Sequence, residues 1–173
     1  AEIDQAVVRV VQEAGEPFDV IDFSPYGYDE RQYGSPGFDL PVGCLMRTPF
    51  GRYPEYHTSG DNLAFVRQKS LENSFAACLK VMGLLEGNRS YFNTNPKCEP
   101  QLGRRGLYNT IGGRNESSVN QAALLWVLNL SDGRHSLLDI SERSQLEFSV
   151  IQEAAEALVR HQLLVECPAS AAP

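Results

Sequence analysis

Residues 120–166, NQAALLWVLNLSDGRHSLLDISERSQLEFSVIQEAAEALVRHQLLVE, carry the densest structural pattern in the chain. Asn120 to Leu130 is apolar almost throughout, and Ser131-Asp132-Gly133 behind it is turn chemistry. Ser136-Leu137-Leu138-Asp139 resembles a capping box and predicts a short helix. From Glu147 to His161 the apolar positions Val150, Ile151, Ala154, Leu158 and Val159 fall on one helical face, and Leu163 to Glu166 reads as a short strand. Three helices and a strand within about 50 residues predict a small winged helix-turn-helix over residues 118–167. Trp126, the single tryptophan, falls mid-helix among leucines and reads as core. Residues 168–173 read as a disordered tail.

Working upstream, residues 93–117 are polar and rich in Gly and Pro, a linker or arm between domains. Gly103-Arg104-Arg105-Gly106 and Arg114 make a local basic patch there, best read as solvated chain. Residues 1–92 have a different rhythm. Ile3, Ala6, Val7, Val10, Val11 and Ala14 mark an amphipathic helix that Gly15 stops. Phe18 to Phe23, FDVIDF, reads as a strand. Residues 24–60 are crowded with Pro, Gly and Tyr and show no helical period, and a loop of that length usually carries function. Asp61 is placed to cap a short helix through Val66. Ser70 is placed to cap a longer one with Leu71, Phe75, Cys78, Leu79 and Met82 on one face, and Arg89 to Phe92 reads as the last strand of this domain. The fold class is α/β.

Charge and cysteine usage narrow the function classes. Fifteen Lys and Arg against 22 Asp and Glu leave a net charge of −7, the wrong sign for a protein that grips nucleic acid through phosphates. Over residues 118–167, Arg134, Arg143 and Arg160 face seven carboxylates, so the balance is no better in the winged helix. We therefore expect no nucleic-acid partner and a docking or dimerisation role for the module, including a homo-oligomer formed through it. No stretch approaches the roughly 18 apolar residues of a membrane span, and no membrane partner is expected. Cys44, Cys78, Cys98 and Cys167 are scattered, form no zinc knuckle, and read as reduced thiols of a cytoplasmic protein. No signal peptide opens the chain, and Ala1 in place of Met reads as the start of a processed or excised piece.

The chemistry-bearing residues sit in the long loop. Asp29-Glu30-Arg31 lies at its start, and Tyr56-His57-Thr58-Ser59-Gly60-Asp61-Asn62 at its end. Imidazole is a common neutral metal ligand and a frequent general base, yet a lone loop histidine is by residue type more often a solvent-exposed donor. Ser59, His57 and Asp61 are the residue types of a hydrolytic triad, but as neighbours along one turn they are not placed to form one.

The run Tyr56 to Leu63 resembles the H-T-x-x-D-[TN] stretch near the end of the zinc aminopeptidases of the M28 type. The longer run YGYDERQYGSPGFDLPVGCLMRTPFGRYPEYHTSGDN, residues 26–62, resembles a narrower bacterial family. These are aminopeptidase-like proteins of polysaccharide biosynthesis with a DUF4910-type domain. EPQLGRRGLYNTIGG, residues 99–113, and ALLWVLNLSDGRHSLLDI, residues 123–140, resemble that family's linker and C-terminal winged helix. The resemblance implies that residues 1–92 are the C-terminal portion of an aminopeptidase-like α/β/α domain.

It further implies that His57 stands at the terminal metal-ligand position and that Asp29 and Glu30 face the site. Arg31 either holds a substrate carboxylate or pairs with Glu30. The cofactor implied is zinc, two ions in the complete protein, of whose ligands this chain holds one. The substrate implied is a peptide-like or amide small molecule. The departure is that the other ligands and the general base belong to an earlier half that these residues do not contain. A metal pair must polarise the carbonyl and activate water, which one imidazole cannot arrange. As an isolated 173-residue molecule the chain is expected to be inactive. The leading expectation is the C-terminal portion of a zinc-dependent hydrolase. The alternative is a non-catalytic assembly protein that uses its winged helix for protein contacts.

Overall fold

The computed structural model describes residues 1–108 and 119–168. The chain divides into two compact units, Ala1–Glu86 and Gly87–Pro173.

In the first unit, helix α1 spans Glu2–Ala14 and ends where Gly15 takes a left-handed φ of 69° and donates its N–H to Gln12. Glycine reaches that conformation without the Cβ clash that penalises other residues. A single short turn of helix, α2, spans Asp29–Tyr33, and α3 spans Gln68–Gly87. Very little of this unit is covered: Ala6, Val10 and Val81 are its buried hydrophobics.

One sequence expectation fails here, and a second holds in its period while its face stays uncovered. Phe18–Phe23 takes no regular secondary structure and pairs with nothing among the described residues; a strand needs a neighbour to take its N–H and C=O groups. The α3 face of Leu71, Phe75, Cys78, Leu79 and Met82 has the expected period, yet all five side chains are exposed. The helix expected from Asp61 to Val66 is instead a turn organised by Asn62. Its Oδ1 accepts from Ala64 N at 2.9 Å, and its carbonyl accepts from Phe65 and Val66.

The second unit has a packed core. Strand β1 spans Ser90–Asn93, α4 Gln121–Leu130, β2 Asp132–Ser136, α5 Leu137–Ser144, α6 Phe148–Arg160 and β3 Leu164–Glu166. Local chemistry starts the helices. Asn120 Oδ1 accepts from Ala123 N at 3.1 Å to cap α4. At α5, Ser136 Oγ accepts from Asp139 N at 3.2 Å while Asp139 Oδ2 accepts from Ser136 N at 2.8 Å, completing the capping box. Helices α4, α5 and α6 pack together, and Leu124, Val127, Leu137, Ile140, Ile151 and Leu158 are fully or almost fully buried. Burying each such side chain contributes roughly 1.5–3 kcal/mol.

The sheet order is β2-β1-β3, antiparallel throughout, with Phe92 opposite Asp132 on one side and Val165 on the other. This corrects the expected domain boundary at residue 92. Strand β1 is the centre of the second unit's sheet, a pairing that no local pattern around residue 90 reveals. The expected linker is also shorter than residues 93–117. Thr94 N and Oγ1 donate to Leu163 and Gln162, a 3-10 turn forms at Leu102–Arg105, and Leu102 and Leu107 are buried. Arg104 and Arg105 therefore sit on a folded turn, and Arg105 donates to the His161 carbonyl at 3.4 Å. Arg114, residues 109–117 of the expected linker and residues 169–173 of the expected tail lie outside the described residues.

Candidate functional site

The long loop, which shows no helical period in sequence, is organised by its aromatic residues. Phe50 sits edge-on to Tyr28 at 5.3 Å between ring centroids and meets Tyr56 at 5.9 Å. Tyr53 meets Tyr56 at 5.6 Å and stacks on Phe65 at 5.9 Å. Such contacts join segments whose backbone forms neither helix nor sheet. The abundance of tyrosine between residues 24 and 60 was the sequence signal for this cluster, although spacing alone does not say which rings meet.

The Tyr28 and Tyr56 hydroxyls lie 3.0 Å apart. That contact ties the start of α2 to the loop bearing His57, so it brings together the two motifs singled out in the sequence. The shared hydrogen bond, more than burial or neighbouring charge, pushes the Tyr56 phenol up to about 12.

His57 follows directly. Its imidazole stacks on the Tyr56 ring, with centroids 4.1 Å apart and planes 21° from parallel. Its φ is +57°, a left-handed conformation uncommon for any residue but glycine. The turn around it is held by Thr58, whose Oγ1 donates to Glu55 O at 2.9 Å and accepts from Gly60 N at 3.1 Å. The histidine is exposed and makes no hydrogen bond or ion pair among the described residues. No bond links Ser59, His57 and Asp61 as a triad among the described residues.

Asp29, Glu30 and Arg31 occupy the first turn of α2 and differ in what they offer. Glu30 is half-buried and folds back so that its Oε2 accepts from Tyr28 N at 3.2 Å. A Cβ at Gly27 would meet the Glu30 carboxylate in this position and push it aside. Glu30 thus stabilises its own helix start. Asp29 is exposed. Arg31 is also exposed and forms no ion pair with Glu30 among the described residues, which leaves its guanidinium open to solvent. The Cys44 thiol is pushed up by burial first and by the Glu30 charge second, so it is a poorer nucleophile than an ordinary cysteine.

A zinc centre needs three or more converging donors. No group of three His, Cys, Asp or Glu side chains is so placed among the described residues, and the residues present do not by themselves fit the metal. His57 can offer one bond. No helix among the described residues is long and apolar enough to cross a membrane.

Comparison with known proteins bears on both units. The chain is 50% identical over 164 residues to a Clostridium acetobutylicum protein named as a candidate polysaccharide biosynthesis protein with an aminopeptidase-like domain. The match takes in 95% of this chain and 38% of that relative. A crystal structure of a candidate peptidase from the same organism superimposes with a TM-score of 0.83 at 46% identity, covering 96% of this chain and 36% of that one. The chain therefore spans little more than a third of the length of either relative. Residues 89–166 match a family described as winged helix-turn-helix, in keeping with the strand pairing that places β1 in the second unit. Residues 1–88 match a family described as a domain of unknown function, DUF4910, and the chain belongs to that family, corresponding to the C-terminal part of its aminopeptidase-like relatives.

Proposed function

We propose that this chain is the C-terminal portion of a zinc-dependent aminopeptidase-like hydrolase that cleaves an amide in a peptide-like or other small substrate, in a pathway of polysaccharide biosynthesis. In this reading His57 supplies one metal ligand, and the remaining ligands come from the part of the protein that corresponds to the rest of the relatives. The observation that carries it is His57 itself. It is an exposed imidazole on a left-handed backbone, braced by Tyr56 and tied through Tyr28 to the acidic turn at Asp29. A non-glycine residue held in that region costs of order 1–3 kcal/mol, and such strain clusters at functional sites. Asp29 and Arg31, both exposed in α2, line the substrate side, while Glu30 holds the turn.

The winged helix serves as an interaction module. The outward side of α6 carries Glu153 and Glu156, and the nearby Arg160 lies 3.9 Å from Glu156. Including the residues from Gly87 onward raises the module's balance to eight Lys and Arg against nine Asp and Glu, still short of a basic surface.

The deciding experiment is His57→Ala in the intact protein from its source cells. Zinc content and amide hydrolysis are expected to fall together while the Trp126 emission of the second unit stays unchanged. Unaltered zinc stoichiometry refutes the ligand assignment. An intact wild-type protein that carries no zinc favours the assembly reading.

A further inference from the structure

The first unit exposes two apolar surfaces that its own residues do not cover. Along Phe18–Phe23 the side chains of Phe18, Val20, Ile21 and Phe23 are 42%, 67%, 61% and 67% exposed, and no backbone group of the segment is paired among the described residues. Successive side chains of an extended segment point to opposite faces. As a strand, the segment would carry Phe18 and Val20 with Asp22 on one face, and Ile21 and Phe23 with Asp19 on the other. A strand with two large apolar side chains on each face has both faces to cover, which a sheet layered on both sides provides. The second surface is the α3 stripe, in which Leu71, Phe75, Leu79 and Met82 are 60%, 67%, 48% and 52% exposed. An amphipathic helix with its apolar stripe in water is a layer without its sheet.

We propose that these two surfaces are where the remainder of the aminopeptidase-like polypeptide closes on this chain: residues 18–23 enter its sheet as an internal strand, and the apolar stripe of α3 lies against a face of that sheet. This rests on the reading of the chain as the C-terminal portion of a longer hydrolase. The occupant is argued from three observations: this chain spans 38% of one relative and 36% of another, both relatives are named for a peptidase or a peptidase-like domain, and the first unit lacks a core of its own. The missing partner must offer free strand edges and an apolar sheet face, which are the features of an α/β layer from which a strand and a helix have been taken.

Native cysteines provide the test. Cys78 lies within the α3 stripe and is exposed here, while Cys98 is exposed in the second unit. The intact protein from its source cells is treated under native conditions with a maleimide, and labelling at each cysteine is read by peptide mass. Amide exchange over residues 18–23 is followed on the same sample. Cys78 is expected to label on the order of a hundredfold more slowly than Cys98, with slow exchange at residues 18–23, because both require an opening event. Equal labelling of the two thiols, or exchange at the rate of an unstructured peptide, overturns the proposal. Protection that disappears on dilution assigns the surface to a second copy, and protection that needs a separate co-purifying protein assigns it to another chain; either result also overturns it. Zinc measured on the same material keeps the two readings apart. Protected Cys78 without zinc sinks the metal assignment alone, and zinc with a freely labelled Cys78 sinks the docking surface alone.

Discussion

Gly133→Ala probes the contact between the start of β2 and the central strand of the winged helix. Gly133 has a φ of +80°, and an added Cβ would point into the Phe92 ring, well inside van der Waals contact. Two costs are separable. Alanine in a left-handed conformation loses roughly 1–2 kcal/mol to the clash of its Cβ with the backbone. The Phe92 ring, 51% exposed, can swing away, so its displacement costs only about 0.5–1.5 kcal/mol in rotamer strain. The two add to roughly 1.5–3.5 kcal/mol. In a Phe92→Ala background the obstacle is gone, and Gly133→Ala retains only the backbone part. The expected coupling between the two positions is about 1 kcal/mol. Urea unfolding followed at Trp126 measures it, because this single tryptophan lies in α4 and reports on the second unit. Equal costs in both backgrounds would show that the ring does not cover Gly133. A cost below about 0.5 kcal/mol would show that the backbone there is not left-handed.

Other expectations concern charge and capping. Asp132 Oδ1 accepts from the backbone N–H of Arg134 at 2.8 Å and lies 3.0 Å from His135 Nδ1. These contacts, with the Arg134 backbone bond the largest, hold its carboxyl down at about 2, below the ordinary 3.8. A depressed carboxylate contributes stability that is complete above the unfolded value and is lost as pH falls through the folded one. The stability difference between wild type and Asp132→Asn is therefore expected to shrink between pH 4 and pH 2. With this side chain 46% exposed the effect is small and is weakened further by salt; a difference independent of pH contradicts the assignment. Asn120→Ala, which removes the α4 cap, is expected to cost about 1 kcal/mol in the same Trp126 assay, and no loss would mean that the Ala123 N–H finds water equally well. For the winged helix, fluorescence anisotropy with a mixed-sequence DNA duplex is expected to show no binding that weakens steeply with salt. Such binding would overturn the reading of α6 as a protein-facing helix.

Much of the second unit was legible residue by residue. The Ser136–Asp139 box and the apolar period of α6 act within one or two turns, so their consequences are local and survive without knowledge of the rest of the chain. Strand β1 was legible as a strand but not as part of this unit. Its partners lie some 40 and 75 residues downstream, and pairing at that separation leaves no trace in local spacing. The same limit hid the aromatic cluster. Tyr28 and Tyr56 are 28 positions apart, so the link between the two loop motifs follows from their hydroxyls meeting and not from either motif.

The sequence by itself determined the helical periods, the capping box of α5, the turn residues and the motif around His57, since each is set by neighbouring side chains and by backbone sterics. The caps expected at Asp61 and Ser70 did not form, since residues 61–66 make a turn and α3 already begins at Gln68. Only the tertiary structure decided which apolar faces are covered. The stripes of α3 and α6 are both amphipathic in sequence, yet Ile151 and Leu158 are buried while Phe75 and Met82 stand in water. Periodicity states that a face must be covered. Whether it is covered depends on a packing partner, which α6 finds in α4 and α5, whereas the α3 stripe from Leu71 to Met82 stays exposed.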